Sequence, residues 1–204
     1  AGISPLRPLD FKISEHLLLL QEAFSGTPFK VTEFETSKRI STYVYSLVAG
    51  PFARFTSNTS SIPLSLYCRQ SIKSLVEPLA DAWLKTTEKG LGYYAEITGQ
   101  PYAFDKLDSV LCPLFKYAGM ENVGCIVYGD DVIPEEDEFQ TQMEYEWMIN
   151  MILHEVSHMW FGNLVTLKWW DDLWLHESFA NYIACVCMEK VCPELKLSWV
   201  LFQD

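Results

Sequence analysis

Hydrophobic and polar positions along the chain change their spacing near residue 66. Before it, residues 29–34 and 40–48 are rich in β-branched and aromatic side chains with partial alternation, which predicts strands. The stretch 56–63 combines Ser, Thr, Asn and Pro and predicts a loop at a domain boundary. Residues 1–66 are therefore predicted to be β-rich and to belong to a different domain from residues 67–204.

From residue 67 onwards, segments with helical spacing alternate with extended ones. Ile72, Leu75, Leu79 and Trp83, for example, follow the spacing of one helix face. The predicted elements are a helix over 71–94, strands over 107–114 and 123–128, an acidic loop over 129–138, and helices over 140–161 and 173–191, the last capped by Asp171 or Asp172. Together with the β-rich first part, this order predicts an α+β fold.

The composition excludes several classes of protein. Of the 204 residues, 49% are hydrophobic, a fraction that fits a globular domain and is too high for a disordered one. The formal net charge of -12 argues against a nucleic-acid binder and against docking on anionic lipid, and it favours a cationic partner. No run of 18 apolar residues is present, so no membrane span is predicted. The six cysteines are sparse for a disulfide scaffold, and we expect most to be buried thiols.

The sequence His154-Glu155-Val156-Ser157-His158 carries the strongest chemical signal. On a helix, residues four apart lie on one face, so both imidazoles can face one ion. Neutral imidazole is a good zinc ligand, and Glu155 lies beside the pair, where it can act on a water molecule without binding the metal. The alternative is two core histidines with hydrogen-bond partners, but two of the chain's four histidines stand in this one motif.

The helix that carries this motif is otherwise apolar. Its main exceptions, Glu146, Asn150, His154 and His158, recur every four residues and form one narrow polar stripe. A buried helix keeps such a stripe only where something polar meets it. We therefore expect another polar element of the fold to face these four side chains.

Glu177 is the candidate third ligand. A catalytic zinc ion takes three protein ligands and leaves one position open. Glu177 follows His158 by nineteen residues and lies on the next predicted helix, so its carboxylate completes a His-His-Glu set if the two helices pack antiparallel. Its neighbours Leu175 and Phe179 are apolar, which favours burial of the Glu177 side chain over a solvated position.

These motifs resemble the gluzincin zinc aminopeptidases, the family of aminopeptidase N. The HExxH motif with Glu177, and the segment 160–175 between them, are very similar to that family. Upstream, Ala118-Gly119-Met120-Glu121-Asn122 looks like its Gly-Ala-Met-Glu-Asn exopeptidase motif. The resemblance implies that residues 1–66 are the C-terminal part of an N-terminal β domain. It also implies that 67–204 are the first part of a thermolysin-like catalytic domain, incomplete at its C-terminal side.

The resemblance implies a zinc-dependent aminopeptidase that hydrolyses the N-terminal peptide bond of peptides. His154, His158 and Glu177 would bind one zinc ion per chain. Glu155 would be the general base, taking a proton from the attacking water and passing it to the leaving amine. The family's transition-state tyrosine is expected beyond the end of this chain.

The exopeptidase motif implies how such an enzyme would bind its substrate. Glu121 would hold the free α-ammonium group, an ion pair that an internal peptide bond cannot supply. The backbone of Gly119 and Ala118 would lie against the substrate, and Met120 would form the floor of the pocket for the first side chain. The implied partners are peptides with a free N-terminus. Oligomeric state stays open, and the compartment leans towards the cytoplasm, with a membrane-anchored ectoenzyme or a secreted form as the alternative.

Several positions depart from the residues usual in the family: Ala118, Ser157, Met159, His176, Ser178 and Ala184. His176 is an alternative ligand by type, but as the neighbour of Glu177 it is expected to point elsewhere on its helix. The departures at Ala118, Ser178 and Ala184, with the tyrosine expected beyond this chain, motivate an alternative, a catalytically degenerate homologue kept as a binding or assembly subunit. A zinc endopeptidase is a third reading, and Glu121 argues against it.

The acidic excess is concentrated around these motifs. The 51 residues of segment 117–167 contain ten acidic side chains and no Lys or Arg. Six of the ten lie in the loop over 130–138, which is either a solvated surface or a feature that draws cationic peptide ends towards the site. Most of the net charge therefore belongs to one window, which also holds the candidate base and ammonium anchor.

Overall fold

The fold is taken from a computed structural model, and every described residue belongs to one compact unit, Ser37–Asp204. The described residues are 37–134, 141–196 and 198–201. The strand predicted over 29–34 and the acidic residues at 135–138 lie outside them. The regular elements in chain order are β1 (Phe52–Thr56), β2 (Leu64–Arg69), α1 (Lys73–Thr98), β3 (Leu107–Cys112), β4 (Gly119–Met120), β5 (Cys125–Gly129), α2 (Gln142–Ser157), α3 (Leu173–Val191) and α4 (Ser198–Leu201).

The five strands form one sheet in the order β1-β2-β3-β5-β4. In its centre β2, β3 and β5 run parallel, with Leu66 opposite Ser109 and Val110 opposite Val127. At the edges, β1 and β4 pair antiparallel with their neighbours. Parallel neighbours need a crossover connection, and α1 supplies it between β2 and β3. The central strands are mostly buried, as expected when other elements cover a parallel sheet.

The helix that carries the HExxH motif is held in the core by α1. This first helix packs on β1 and β2, and α2 packs against both α1 and α3. Trp83 of α1 contacts Tyr128 of β5 edge to face, with ring centroids 4.9 Å apart. The Tyr94 hydroxyl donates a hydrogen bond of 3.0 Å to the Leu153 carbonyl oxygen in α2. Because both aromatic rings of α1 are buried, α1 fixes the motif helix against the sheet.

The structure confirms most of the elements predicted from residue 67 onwards. The helix α1 and the strands β3 and β5 overlap the predicted segments with ends shifted by up to four residues, and α3 spans Leu173–Val191 as predicted. The helix predicted over 140–161 is present but ends at Ser157. It ends there because the amides of Met159 and Trp160 bind carbonyls three residues back, which tightens the chain into a turn.

Two local predictions are wrong. Residues 40–48 form no strand: Thr42–Val44 make a single 3-10 turn. The Val44 carbonyl accepts a hydrogen bond of 3.0 Å from the Val123 amide, so this segment is held by a loop instead of a partner strand. Asp172 stands directly before α3 but makes no side-chain capping hydrogen bond.

The described residues form a mixed fold of helices and a five-stranded sheet, consistent with the α+β prediction. The domain division at residue 66 stays a prediction, and β2 spans that position. All six cysteines are free thiols, and four of them are buried, in agreement with the prediction. Within the described ranges, no helix has both the length and the apolar character needed to cross a bilayer.

Candidate active site

The motif helix α2 begins at a well-formed cap and ends in a tight turn. The hydroxyl of Thr141 accepts a hydrogen bond from the Glu144 amide at 3.2 Å, and the Glu144 carboxylate accepts one from the Thr141 amide at 3.0 Å. This capping box satisfies two amides that the first turn leaves unpaired. At the other end, His158 is the residue that follows the last helical residue, and its amide still binds the His154 carbonyl at 3.4 Å.

The polar stripe of α2 faces α3, and the order of contacts shows that the two helices run antiparallel. Asn150 contacts Cys185 at 3.5 Å and Met188 at 3.9 Å through its amide nitrogen. His154, one turn further along α2, lies beside Glu177, two turns earlier on α3. The antiparallel packing on which the third ligand depends is therefore present. The partners of Asn150 are sulfur atoms, which hydrogen-bond only weakly.

Three ligand atoms converge between these helices. The Nε2 atoms of His154 and His158 lie 3.0 Å apart. One carboxylate oxygen of Glu177, Oε2, lies 3.3 Å from the first nitrogen and 3.6 Å from the second. The structure thus brings together all three residues predicted as metal ligands, although they come from two different helices.

The chemistry of this donor set fits a zinc ion. Nδ1 of His158 lies 2.9 Å from the Phe161 carbonyl oxygen, so a neutral ring carries its proton there and leaves Nε2 bare. A bare nitrogen facing a second imidazole nitrogen and a carboxylate oxygen can bind a cation between them. Tetrahedral zinc with bonds of about 2.0–2.1 Å holds its ligand atoms roughly 3.3 Å apart. The observed separations of 3.0, 3.3 and 3.6 Å lie around that value.

The environment shifts the pKa of each ligand. Burial lowers the pKa of His154, although Glu177 opposes the shift. Burial also acts to lower the pKa of His158, but the hydrogen bond to Glu177 and the charges of Glu155 and Glu121 raise it to about 9. Hydrogen bonds from His154 and His158 are the largest causes that depress the pKa of Glu177 far below its ordinary value. The shifts of His158 and Glu177 thus favour a positive charge beside this carboxylate.

The Glu177 side chain is more exposed than its apolar neighbours predicted. It is 49% exposed, whereas that of His158 is 1% exposed. Leu175 is also exposed, because the first turn of α3 presents only one face to α2 and leaves the other in solvent. The expectation that Glu177 is buried is wrong, and the site opens to solvent on the α3 side.

Glu155 lies on the buried side of the site, beside the edge strand β4. Burial raises the pKa of its carboxyl to about 8; the charge of His158 opposes this shift, and those of Glu121 and Glu177 reinforce it. Its Oε2 is buried without a hydrogen-bond partner among the described residues. A Cβ on Gly119 would overlap the Glu155 carboxylate, so a glycine is needed here for the close approach. A basic, partly desolvated carboxylate of this kind suits proton transfer.

The exopeptidase-like motif 118–122 forms the wall of the site next to Glu155. Gly119 and Met120 make up β4 and are partly exposed, and Ala118 precedes them at an exposed position. Glu121 is buried, and its backbone carbonyl accepts a hydrogen bond of 2.8 Å from the Asn163 side chain. The loop after α2 therefore fixes the backbone of the predicted ammonium anchor.

His176 points into the site, contrary to prediction. Its Nδ1 lies 3.5 Å from Oε1 of Glu177 and 3.9 Å from Oε1 of Glu121. The ring packs against that of His158, with centroids 4.5 Å apart. Neighbouring side chains diverge on a helix, yet the carboxylate is long enough to turn one oxygen towards the metal ligands and the other towards this ring. His176 is thus part of the site.

Tyr43 is a site residue that sequence reasoning missed. Burial, the negative charge of Glu121 and a hydrogen bond to that carboxylate raise the pKa of Tyr43 well above its ordinary value. The ring also contacts Trp170 edge to face at 5.2 Å. A strand prediction for 40–48 gave no reason to single out this hydroxyl, which hydrogen bonds between this segment and residues 122–123 help to bring to the site.

The arrangement agrees with comparisons to known proteins. A family model described as the Peptidase family M1 domain matches residues 83–204, which include every predicted ligand and the exopeptidase-like motif. The chain belongs to peptidase family M1. The resemblance to aminopeptidase N-like gluzincins that the motifs indicated is thereby confirmed.

Curated proteins named as aminopeptidases are similar in sequence to this chain over most of its length. Aminopeptidase N of Streptomyces lividans is 38% identical over 180 residues, covering 85% of this chain and 20% of that protein. Aminopeptidase N of Canis lupus familiaris is 33% identical over 156 residues, with 76% and 16% covered. Aminopeptidase M1 of Arabidopsis thaliana is 29% identical over 198 residues, with 97% and 22% covered. The chain thus spans about a fifth of the length of these relatives.

Proposed function

We propose that this chain carries the zinc site of a metallo-aminopeptidase that removes N-terminal residues from peptides. Membership of family M1 supports a peptidase, and relatives named aminopeptidases support cleavage at the N-terminus. The observation that carries the proposal is the convergence of two imidazole nitrogens and one carboxylate oxygen within 3.6 Å of one another. Nothing in the described part of the site favours the degenerate binding subunit.

The metal ligands in this proposal are His154, His158 and Glu177. Three ligands leave one tetrahedral position free, which is the pattern of catalytic zinc sites. Zinc bound there supplies Lewis acidity, which polarises the peptide carbonyl and lowers the pKa of water. The hydrogen bond between Nδ1 of His158 and the Phe161 carbonyl holds the ring in the orientation that this ligand role needs.

Glu155 is the general base in this proposal. It lies in the middle of the HExxH motif, and its unpaired Oε2 is free to accept the proton of an attacking water molecule. The same oxygen then donates that proton to the nitrogen of the leaving amine. Burial favours the transfer, because it raises the pKa of Glu155 and so makes its carboxylate a stronger base.

Glu121 makes the enzyme an exopeptidase in this proposal. Its buried carboxylate pairs with the positively charged α-amino group of the substrate, which only the first residue of a peptide carries. Gly119 and Ala118 lie where substrate backbone would pass, and Met120 would floor the pocket for the first side chain. We also assign residues 67–204 to a thermolysin-like catalytic domain and 1–66 to the end of the preceding β domain.

Paired substrates test the proposal. The zinc-loaded full chain should release alanine from alanyl-alanine amide and leave the N-acetylated peptide uncut. Glu121→Gln should lower kcat/KM for the free peptide by about tenfold to a hundredfold, because it removes the charge that pairs with the ammonium group. Cleavage of both peptides at similar rates would indicate an endopeptidase instead. No cleavage of either by the zinc-loaded full-length protein, which would carry the expected tyrosine, would contradict the proposal.

A further inference from the structure

His176 is the one histidine of the site that the proposed mechanism does not use. Its side chain is 3% exposed, and neither ring nitrogen has a hydrogen-bond partner among the described residues. A buried polar group without a partner is costly and usually marks a place where another group binds. The question is therefore which group completes this ring.

The fold makes room for the ring at this place. Gly162, in the turn after α2, has a φ of 134°, a value that favours glycine, and a Cβ there would overlap the imidazole. On its other side the ring packs against His158. The imidazole is thus seated between the two helices, with Nδ1 turned towards the carboxylates of Glu121 and Glu177.

The carboxylates do not themselves complete the ring. Nδ1 lies 3.5 Å from Glu177 and 3.9 Å from Glu121, whereas a charge-assisted hydrogen bond is about 2.7–2.9 Å long. Nδ1 thus faces two carboxylate oxygens and makes a hydrogen bond to neither, which leaves three acceptor atoms near this point. The chemical group that fits such a point is a cation with several N–H donors or a metal ion.

A second metal ion fits this point poorly. Its ligand atoms would come from Glu121, His158 and His176, which offer atoms within 4.8 Å of one another. However, His158 has already used both nitrogens: Nδ1 is bonded to the Phe161 carbonyl, and Nε2 faces His154. Without His158, the third ligand atom would be Oε1 of Glu177, whose other oxygen already faces the first metal site. An ammonium group, with three N–H donors, matches the three acceptors instead.

We propose that His176 is a specificity-determining residue of the ammonium subsite, where its Nδ1 accepts a hydrogen bond from the substrate's α-ammonium group beside Glu121 and Glu177. This proposal rests on the proposed aminopeptidase function and adds a residue to its substrate site. His176 thereby favours an N-terminus that carries three N–H donors. It selects a primary amine over an acylated nitrogen.

Equilibrium binding tests this role without turnover. The zinc-loaded full chain with Glu155→Gln is titrated calorimetrically with alanyl-alanine amide and with its N-acetyl derivative. His176→Leu in this background should weaken binding of the free amine by about tenfold to a hundredfold and leave binding of the acetylated probe unchanged. His176→Asn, whose side-chain oxygen can replace Nδ1, should restore most of the loss. Metal analysis should find one zinc ion per chain in every variant.

The possible results separate the two proposals. Equal loss of both probes in His176→Leu, or unchanged binding of the amine, overturns the role of His176 alone. Two zinc ions in the parent and one in His176→Leu would do the same in favour of a second metal. A parent protein that binds both probes equally overturns the aminopeptidase function as well. Should His176→Leu fail to fold, as judged by its unfolding temperature, His176→Phe replaces it, because it also lacks both nitrogens.

Discussion

The two halves of the candidate site lie in opposite surroundings. Glu155 and His158 are buried at the C-terminal end of α2, which the core contacts on several sides, whereas Glu177 stands on the solvent-facing start of α3 and is 49% exposed. The buried half is therefore part of the packing of the domain, and the exposed half is not. The difference teaches that residues with the same proposed chemistry should respond differently when stability and metal binding are measured separately.

The largest effect is expected at the centre of the buried half. Glu155→Gln should lower kcat/KM of the zinc-loaded protein by about 10²–10⁴-fold, because the amide cannot accept a proton. Zinc content should stay unchanged, since Glu155 is not a ligand. The unfolding temperature of the metal-free protein should rise, because burial disfavours a charged carboxylate at this position.

Glu96→Gln, on the exposed surface of α1, is the matched control for Glu155→Gln and should leave both kcat/KM and the unfolding temperature unchanged. Activity of Glu155→Gln within tenfold of the parent would remove Glu155 from the base role. A lower unfolding temperature would show that its carboxylate supports the fold.

The contrast between the two halves is tested best by removing one ligand from each and measuring zinc affinity and stability. His158→Ala and Glu177→Ala should each weaken zinc binding by more than about a hundredfold, since even neighbours of a ligand cost 10–100-fold when lost. Only His158→Ala should also destabilise the metal-free fold, by about 1–3 kcal/mol, because it leaves a buried gap and an unpaired Phe161 carbonyl. The cost of Glu177→Ala should stay below about 1 kcal/mol.

Chelator competition measures zinc affinity, and denaturant unfolding in the presence of a chelator measures stability. Equal destabilisation by the two substitutions would break the contrast between a buried and an exposed half. Unchanged zinc affinity in either variant would remove that residue from the ligand set.

A smaller effect is expected where α2 begins, away from the ligands. Thr141→Ala removes the capping box and should lower the free energy of unfolding by about 1 kcal/mol, while zinc content stays at one ion per chain. Thr141→Ser keeps the hydroxyl and serves as the control. Loss of zinc in Thr141→Ala would mean that the metal site senses the far end of the helix, so the two ends of α2 are not independent.

The smallest effect is expected on the exposed half. Trp174 is 68% exposed on the first turn of α3, three residues before Glu177. Trp174→Ala should change the free energy of unfolding by no more than about 0.5 kcal/mol, because it leaves no cavity. Denaturant unfolding of the two proteins side by side checks this. A loss above 1 kcal/mol would show that the first turn of α3 contributes to the packing after all.

The donor set and most elements could be predicted because their signals are local. Spacing of four residues places His154 and His158 on one face, and the periodicity of α3 gave its ends residue by residue. The C-terminal end of α2 is harder to predict from the sequence, because the turn hydrogen bonds after Ser157 compete with helical hydrogen bonds of similar strength.

The rest of the site depends on contacts between distant segments, which local patterns do not encode. Tyr43 reaches Glu121 because the Val123 amide and the Asn122 side chain hydrogen-bond to the backbone of the two residues that follow it. His176 was expected to point away because neighbours on a helix diverge, but a site can enclose two adjacent side chains when a turn beside it is as small as Gly162. Gly162, in the loop directly after the motif helix, is a sequence feature that could have indicated a crowded neighbour.

Metal content tests the central claim most directly. After zinc loading and extensive dialysis, mass spectrometric metal analysis of the full chain should find one zinc ion per molecule. The double variant His154→Ala/Glu177→Ala, which removes one ligand from each helix, should retain none while keeping its secondary structure. A parent chain without zinc, or a folded double variant that still holds one ion, would contradict the assignment of this donor set as the metal site.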